Sequence, residues 1–217
     1  MDNSLIVYGA RGSGSVPIEA TLTLLRQPYE IIERAPLKEV TPDEAVFRIN
    51  PLGQVPALVL PGGEVMTESA AMLIWLADCH PNQRLAPDTL DRRRPAFLRW
   101  MAYVSSAIYA LYWIRDDPSR LAGDPGVQAA IKARTAERMS ECWAVMEAQI
   151  TPGRYLLGDT LGVLDLYVTV ISRWGPRRKR FYEVAPKMSE VVRRVDADPR
   201  LKAFWAERFP FAEGWEG

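Results

Sequence analysis

The chain has 217 residues, 48% of them apolar and 25% charged, which is the composition of a folded globular protein and excludes wholesale disorder. Its 27 basic and 27 acidic side chains cancel, removing the strongly basic face on which nucleic-acid binding ordinarily rests. The balance is uneven along the chain. Residues 1–80 hold 10 acidic and 5 basic side chains and the remainder 17 and 22, so a net of −5 is followed by a net of +5, which suggests two domains.

Two cysteines, Cys79 and Cys142, and a single histidine, His80, are too few for a disulfide framework and point to a reducing compartment. They also supply no metal site, since structural zinc needs about four N/S ligands at short paired spacings. A serine-hydrolase triad would have to use His80, but Asp78-Cys79-His80-Pro81 reads as a helix end, where the ring caps or faces solvent. The first residues lack the basic and apolar regions of a signal peptide. No run approaches the roughly 18 apolar residues of a membrane span. A cytoplasmic protein away from the membrane is expected.

In chain order, Leu5-Ile6-Val7-Tyr8 is a short strand closed by Gly9. A glycine-serine turn, Gly12-Ser13-Gly14-Ser15, precedes Pro17, which suits the first turn of a helix running to about Arg26. Tyr29 to Glu33 is a second strand, and Pro42 to Ile49 a short helix with Thr41 as N-cap. Ala57 to Leu60 and Glu64 to Thr67, joined by Pro61-Gly62-Gly63, form a hairpin. Glu68 to Cys79 is a strong helix. The order βαβαββα predicts one sheet of four strands, helices on both faces, with parallel pairing across each crossover and an antiparallel hairpin.

Residues 81–91 are polar and proline-containing, as a linker is, and 92–217 carry helical patterns only. Helices are expected at Arg92–Ile114, Pro125–Ile150, Val163–Trp174, Lys187–Ala197 and Leu201–Arg208, the third apolar enough to be buried throughout. Arg177-Arg178-Lys179-Arg180 reads as a solvated basic loop, and Cys79 and Cys142, on apolar helices, as buried inert thiols.

Three segments are specific together. Asn50-Pro51-Leu52-Gly53-Gln54-Val55-Pro56-Ala57-Leu58, then Thr67-Glu68-Ser69-Ala70-Ala71, then Leu156-Leu157-Gly158-Asp159 with Asp165 resemble the glutathione S-transferase family, in that order and over the whole chain. The resemblance implies a thioredoxin-like α/β domain followed by an all-α helical bundle domain, glutathione as cosubstrate, no metal, and a homodimer.

It also assigns roles. The Val55–Pro56 bond is cis in the family, which turns the N–H and C=O of Val55 toward the tripeptide's backbone as a sheet edge would be. Glu68 and Ser69 open a helix whose unpaired N–H groups attract the γ-glutamyl carboxylate, with Ser69 adding a hydroxyl and Glu68 accepting from the ammonium. The plainer role for both is to cap their own helix. Gln54 takes the position that contacts the tripeptide backbone or glycyl carboxylate. Asp165 is structural: it caps the buried helix, but the family's Ser/Thr three residues earlier is Gly162, which leaves half of the reciprocal cap.

The family's catalysis lowers the thiol pKa, about 8.5 when unperturbed, by a hydrogen bond to the thiolate. The loop Tyr8 to Pro17 has no cysteine, so the cysteine-type members are excluded. Its residues resemble those of serine-type members and favour Ser13, with Ser15 next, although Ser15 also suits a helix N-cap. Tyr8 lies close to the position used by tyrosine-type members, and Arg11 is placed to stabilise the anion. A mere flexible Gly-Ser turn is the plain alternative. The electrophile is expected against the long helix, among Tyr103, Ser106, Tyr109, Tyr112 and Trp113, where spacings of three and four share a face. The leading activity is attack of activated glutathione on a small hydrophobic electrophile, as in detoxification. The alternatives are a glutathione-dependent isomerase, dehalogenase or peroxidase, or a non-catalytic binding or assembly module of the same fold.

Overall fold

A computed structural model describes residues 4–34, 45–175 and 178–211. The first part follows the expected order: β1 (Leu5–Gly9), α1 (Val16–Leu25), β2 (Tyr29–Glu33), α2 (Ala45–Ile49), β3 (Ala57–Val59), β4 (Val65–Met66) and α3 (Ser69–Cys79). Residues 41–44, where Thr41 and the start of α2 were expected, lie outside the described residues.

The sheet order is β2-β1-β3-β4. β1 and β2 are parallel, as the helical crossover requires. The crossover through α2 departs from expectation: β3 does not join β2 but pairs antiparallel with β1 on its other side, with Tyr8 opposite Ala57. The hairpin then adds β4 antiparallel to β3. β1 alternates buried and half-buried residues, which is the period-two pattern of a strand with one covered face.

The second part is helical: α4 (Arg94–Tyr103), α5 (Ala110–Asp116), α6 (Pro125–Gln149), α7 (Val163–Ser172), α8 (Arg178–Val184), α9 (Pro186–Asp196) and α10 (Lys202–Arg208). Every residue of α7 is buried. It packs against α1 and α3 of the first part and against α4 and α9 of the second, and so joins the two into one core. No helix among the described residues is long and apolar enough to cross a membrane.

Three further expectations need correction. The single helix Arg92–Ile114 is interrupted by a π-helical turn, Val104–Tyr109, between α4 and α5, where Ala110 N–H reaches back to Ser105 C=O. The basic run is not a solvated loop: Arg178 is fully buried at the start of α8, where Asp196 accepts from its guanidinium at 2.8 Å and the Thr169 carbonyl at 2.7 Å. Lys179 and Arg180 remain exposed, and Arg177 lies outside the described residues. Of the thiols, Cys142 is buried but Cys79 is exposed, because α3 ends there and turns its last residues outward.

Asp165 is buried at the start of α7. Its carboxylate accepts from the N–H groups of Leu156 and Gly162, each at 2.8 Å, and Asp165 N–H returns to the Gly162 carbonyl. Glycine contributes no side chain, so the cap is one-sided. His80 closes α3 with its Nδ1 on the Leu76 carbonyl at 2.9 Å.

Candidate functional site

The loop after β1 folds into a nest of hydrogen bonds at the N-terminal end of α1. Ser13 Oγ accepts from the N–H groups of Ala10 and Ser15, both at 3.2 Å. Its lone pairs are thereby used and its one proton is left to give. The acceptor beside it is Ser15 Oγ at 3.0 Å. Ser13 is half-buried, so a ligand can reach it.

Ser15 is different. It is fully buried, and its hydroxyl donates to Glu19 Oε1 at 2.6 Å. It makes no cap hydrogen bond to the helix it precedes. Both roles foreseen for Ser15, thiol donor and N-cap, give way to this contact: its one proton is committed to a carboxylate a turn further on. Arg11 is exposed on the outer edge of the loop.

The second wall is the turn before β3. The Val55–Pro56 peptide is cis. The ladder with β1 begins at Ala57, so Val55 lies just outside it. Asn50 braces this turn: its Nδ2 donates to the Gln54 carbonyl at 3.0 Å and its Oδ1 accepts from Leu52 N–H at 3.1 Å. Gln54 itself projects into solvent.

The third wall is the start of α3. Glu68 sits at φ 66°, ψ 98° and is exposed, a backbone conformation that side chains other than glycine rarely adopt outside functional sites. Ser69 is buried, and its hydroxyl is paired with Tyr167 of α7 at 2.8 Å. The core helix therefore holds the Ser69 side chain in place at the start of α3. Desolvation pushes the Tyr167 phenol up to about 12, so it is neutral.

The expected electrophile residues separate. Tyr109 alone reaches the loop: its hydroxyl lies over Gly14, so close that a methyl group there would stand 1.8 Å from it. Its ring packs on Trp174 and Tyr167, with centroids at 5.0 and 6.3 Å. Tyr112 is buried behind Trp174 and bonded to the Ile171 carbonyl. Tyr103 donates to the Cys142 carbonyl on α6. Ser106 is exposed and bonded back to Ala102. Trp113 is exposed under the Arg120 guanidinium. Tyr109 and Tyr112, three apart, do share a side, since both rings pack on Trp174 with centroids at 5.0 Å, while the π turn alters the spacing of Tyr103 and Ser106 relative to them.

Residues outside those expected hold the loop from behind. Arg208 Nε donates to Glu19 Oε2 at 2.5 Å, and Arg208 also pairs with Glu33. The Arg208 carbonyl accepts Gly12 N–H at 2.9 Å, and Trp174 Nε1–H donates to the Gly12 carbonyl at 2.7 Å. A signal for Glu19 was present in the sequence: a lone carboxylate among Ile18, Ala20 and Leu22 needs a buried partner. Nothing local marks Arg208 or Trp174. A cavity of about 290 Å³ lies elsewhere, lined by Arg84, Asp88, Arg93, Phe97 and Asp165, and includes none of the loop.

Comparison with known proteins places the fold. Residues 15–79 match the glutathione S-transferase N-terminal domain and 123–208 the C-terminal domain. The GST-like protein YncG of Escherichia coli K12 is 31% identical over 197 residues, covering 90% of this chain and 94% of its own. Glutathione S-transferase GST-4.5 of Xanthomonas campestris is 28% identical, with 91% and 95% covered. Among solved structures, a glutathione transferase homologue from Sulfitobacter with bound glutathione superimposes with a TM-score of 0.81 at 24% identity, over 93% of this chain and 97% of that one. The chain belongs to the glutathione S-transferase family.

Proposed function

We propose that the protein is a glutathione transferase whose thiol-activating group is Ser13. Glutathione lies extended along the turn before β3, its cysteinyl unit paired with the main chain of Val55 beside Pro56. Its γ-glutamyl carboxylate meets the N-terminal N–H groups of α3, and Glu68 accepts from its ammonium. Gln54 and Arg11, both exposed at the rim, face its remaining polar groups. The thiol then lies at the N-terminal end of α1. Its proton passes to solvent, Ser13 donates to the thiolate, and the sulfur attacks an electrophilic carbon, whose leaving group departs with the bonding pair.

The observation that carries this reading is the state of the Ser13 hydroxyl: half-exposed, with two N–H groups donating to its oxygen and one proton to give, which rests on Ser15 Oγ at 3.0 Å and turns to the thiolate when glutathione binds. With its oxygen held by two N–H donors, only the proton has to turn to meet the anion. Tyr109 borders the place the electrophile enters. The bound glutathione in the Sulfitobacter homologue supports the same cosubstrate here. A cytoplasmic homodimer serving detoxification, with the acidic half of one subunit facing the basic half of the other, completes the reading. Calorimetric titration with glutathione, followed by assay of an electrophile panel, tests it. Binding with turnover that Ser13→Ala loses supports it. Binding without turnover favours a ligand-binding module, and no binding at millimolar glutathione refutes it.

A further inference from the structure

The thiol-activating loop is held from behind by the helical half of the chain. The Gly12 peptide is gripped at both ends, its N–H by the Arg208 carbonyl at 2.9 Å and its C=O by Trp174 Nε1–H at 2.7 Å. The ring of Phe209, next to Arg208, lies beside Gly12, 3.4 Å from where a Cβ would stand. The Arg208 guanidinium is buried and reaches the same loop by a second path: Arg208 Nε to Glu19 Oε2 at 2.5 Å, Glu19 Oε1 to Ser15 Oγ at 2.6 Å, and Ser15 Oγ to Ser13 Oγ at 3.0 Å. Glu19 is wholly enclosed, and the charged and titratable groups facing it are Arg208 from α10 and Glu33 and Tyr29 from β2. Only Arg208 among them is a cation.

A buried ion pair of this kind is poor evidence for added stability, because desolvation offsets most of the attraction. It is a good device for fixing direction. Burial pushes the Glu19 carboxyl up, and the hydrogen bonds from Arg208 and Ser15 oppose this; with Arg208 on Oε2 the Ser15 proton points at Oε1, and Ser15 accepts from Ser13. Ser13 Oγ is then pinned by two N–H donors and one neighbouring oxygen, and its place is set by α10 rather than by β1 alone.

We infer that Arg208, acting through Glu19 and Ser15, and Trp174, acting through Gly12, are positioning residues for Ser13, so that the thiol-activating site is completed by the C-terminal helical half. Neither needs to touch glutathione, whose other contacts lie on the turn at Val55 and the start of α3. Catalysis is sensitive to displacements of about 1 Å in such a donor. The inference rests on the glutathione transferase reading.

The test measures, for Arg208→Gln, Arg208→Lys and Trp174→Phe, glutathione affinity by calorimetry and the pH midpoint of thiolate formation by the ultraviolet absorbance of the bound thiolate. kcat and KM follow with 1-chloro-2,4-dinitrobenzene as electrophile. Each variant is also made in a Ser13→Ala background. Trp174→Phe keeps the aromatic packing and removes one hydrogen bond, so it reports even if Arg208→Gln folds poorly. The expected result is unchanged glutathione affinity, a midpoint raised by about one unit, equivalent to about tenfold less thiolate well below the midpoint, a matching fall in kcat, and partial recovery in Arg208→Lys. In the Ser13→Ala background the same changes are expected to shift the midpoint no further. Folded variants with the wild-type midpoint, or shifts of equal size with and without Ser13, overturn this inference alone. Wild-type protein that binds no glutathione overturns the transferase reading and this inference with it.

Discussion

The hydroxyl of Tyr109 lies against the Cα of Gly14, at a distance that leaves no room for a side chain. One residue of the helical half thereby fixes the identity of one residue of the loop. Gly14→Ala is expected to cost about 1–3 kcal/mol by overpacking, read as a lowered midpoint in urea. Adding Tyr109→Phe removes the nearest atom and is expected to recover part of the loss. Equal stability of Gly14→Ala and wild type would contradict the contact.

Asp165 gives a pH-dependent prediction. Burial pushes its carboxyl up to about 7, opposed by the N–H donors of Leu156, Gly162 and its own backbone. A carboxyl raised above its unfolded value of about 3.9 contributes stability that is full below that value and is lost as pH rises through 7. Asp165→Ala removes this slope and orphans two buried N–H groups, at a cost on the order of 3 kcal/mol. Denaturant midpoints between pH 4 and 8 check both effects, and residual turnover per folded molecule is expected to be retained.

Arg178 and Asp196 form an ion pair in which the arginine side chain is 0% and the aspartate 10% exposed. Removing one partner leaves the other charge buried, so Arg178→Ala is expected to destabilise by about 3–5 kcal/mol. Replacing neighbouring Lys179, which is exposed, is expected to change stability by less than about 0.5 kcal/mol. Thermal unfolding of both variants separates the buried cation from the solvated one.

Cys79 is exposed and Cys142 buried, so an alkylating reagent is expected to add once to the folded protein, at Cys79. Desolvation and the adjacent Asp78 push the Cys79 thiol up, which makes the reaction slow at neutral pH. Peptide mass mapping after labelling locates the adduct. Labelling of Cys142 before unfolding would contradict its burial.

The element order of the first part was legible because each strand and helix there carries its own period and its own turn residues, from Gly9 to Pro61-Gly62-Gly63. What the sequence hid was non-local. Nothing around Ala57 says that β3 will pair with β1 instead of β2. The π turn at Val104–Tyr109 has no breaker residue to announce it, and it changes how Tyr103 and Ser106 sit relative to Tyr109 and the residues after it. Charge alone misread Arg178, because a basic run looks the same whether one member is buried against Asp196 or all are solvated. At the proposed site, Ser13, Val55, Pro56 and Glu68 were named from local motifs. Arg208 and Trp174 were not, since their link to Gly12 spans most of the chain.

The central claim is that Ser13 stabilises the thiolate of bound glutathione. The most direct measurement is the pH midpoint of that thiolate in wild type and in Ser13→Ala, at saturating glutathione. The account predicts a wild-type midpoint well below the free value of about 8.5 and a return toward it in Ser13→Ala. A midpoint that Ser13→Ala leaves unchanged would contradict it.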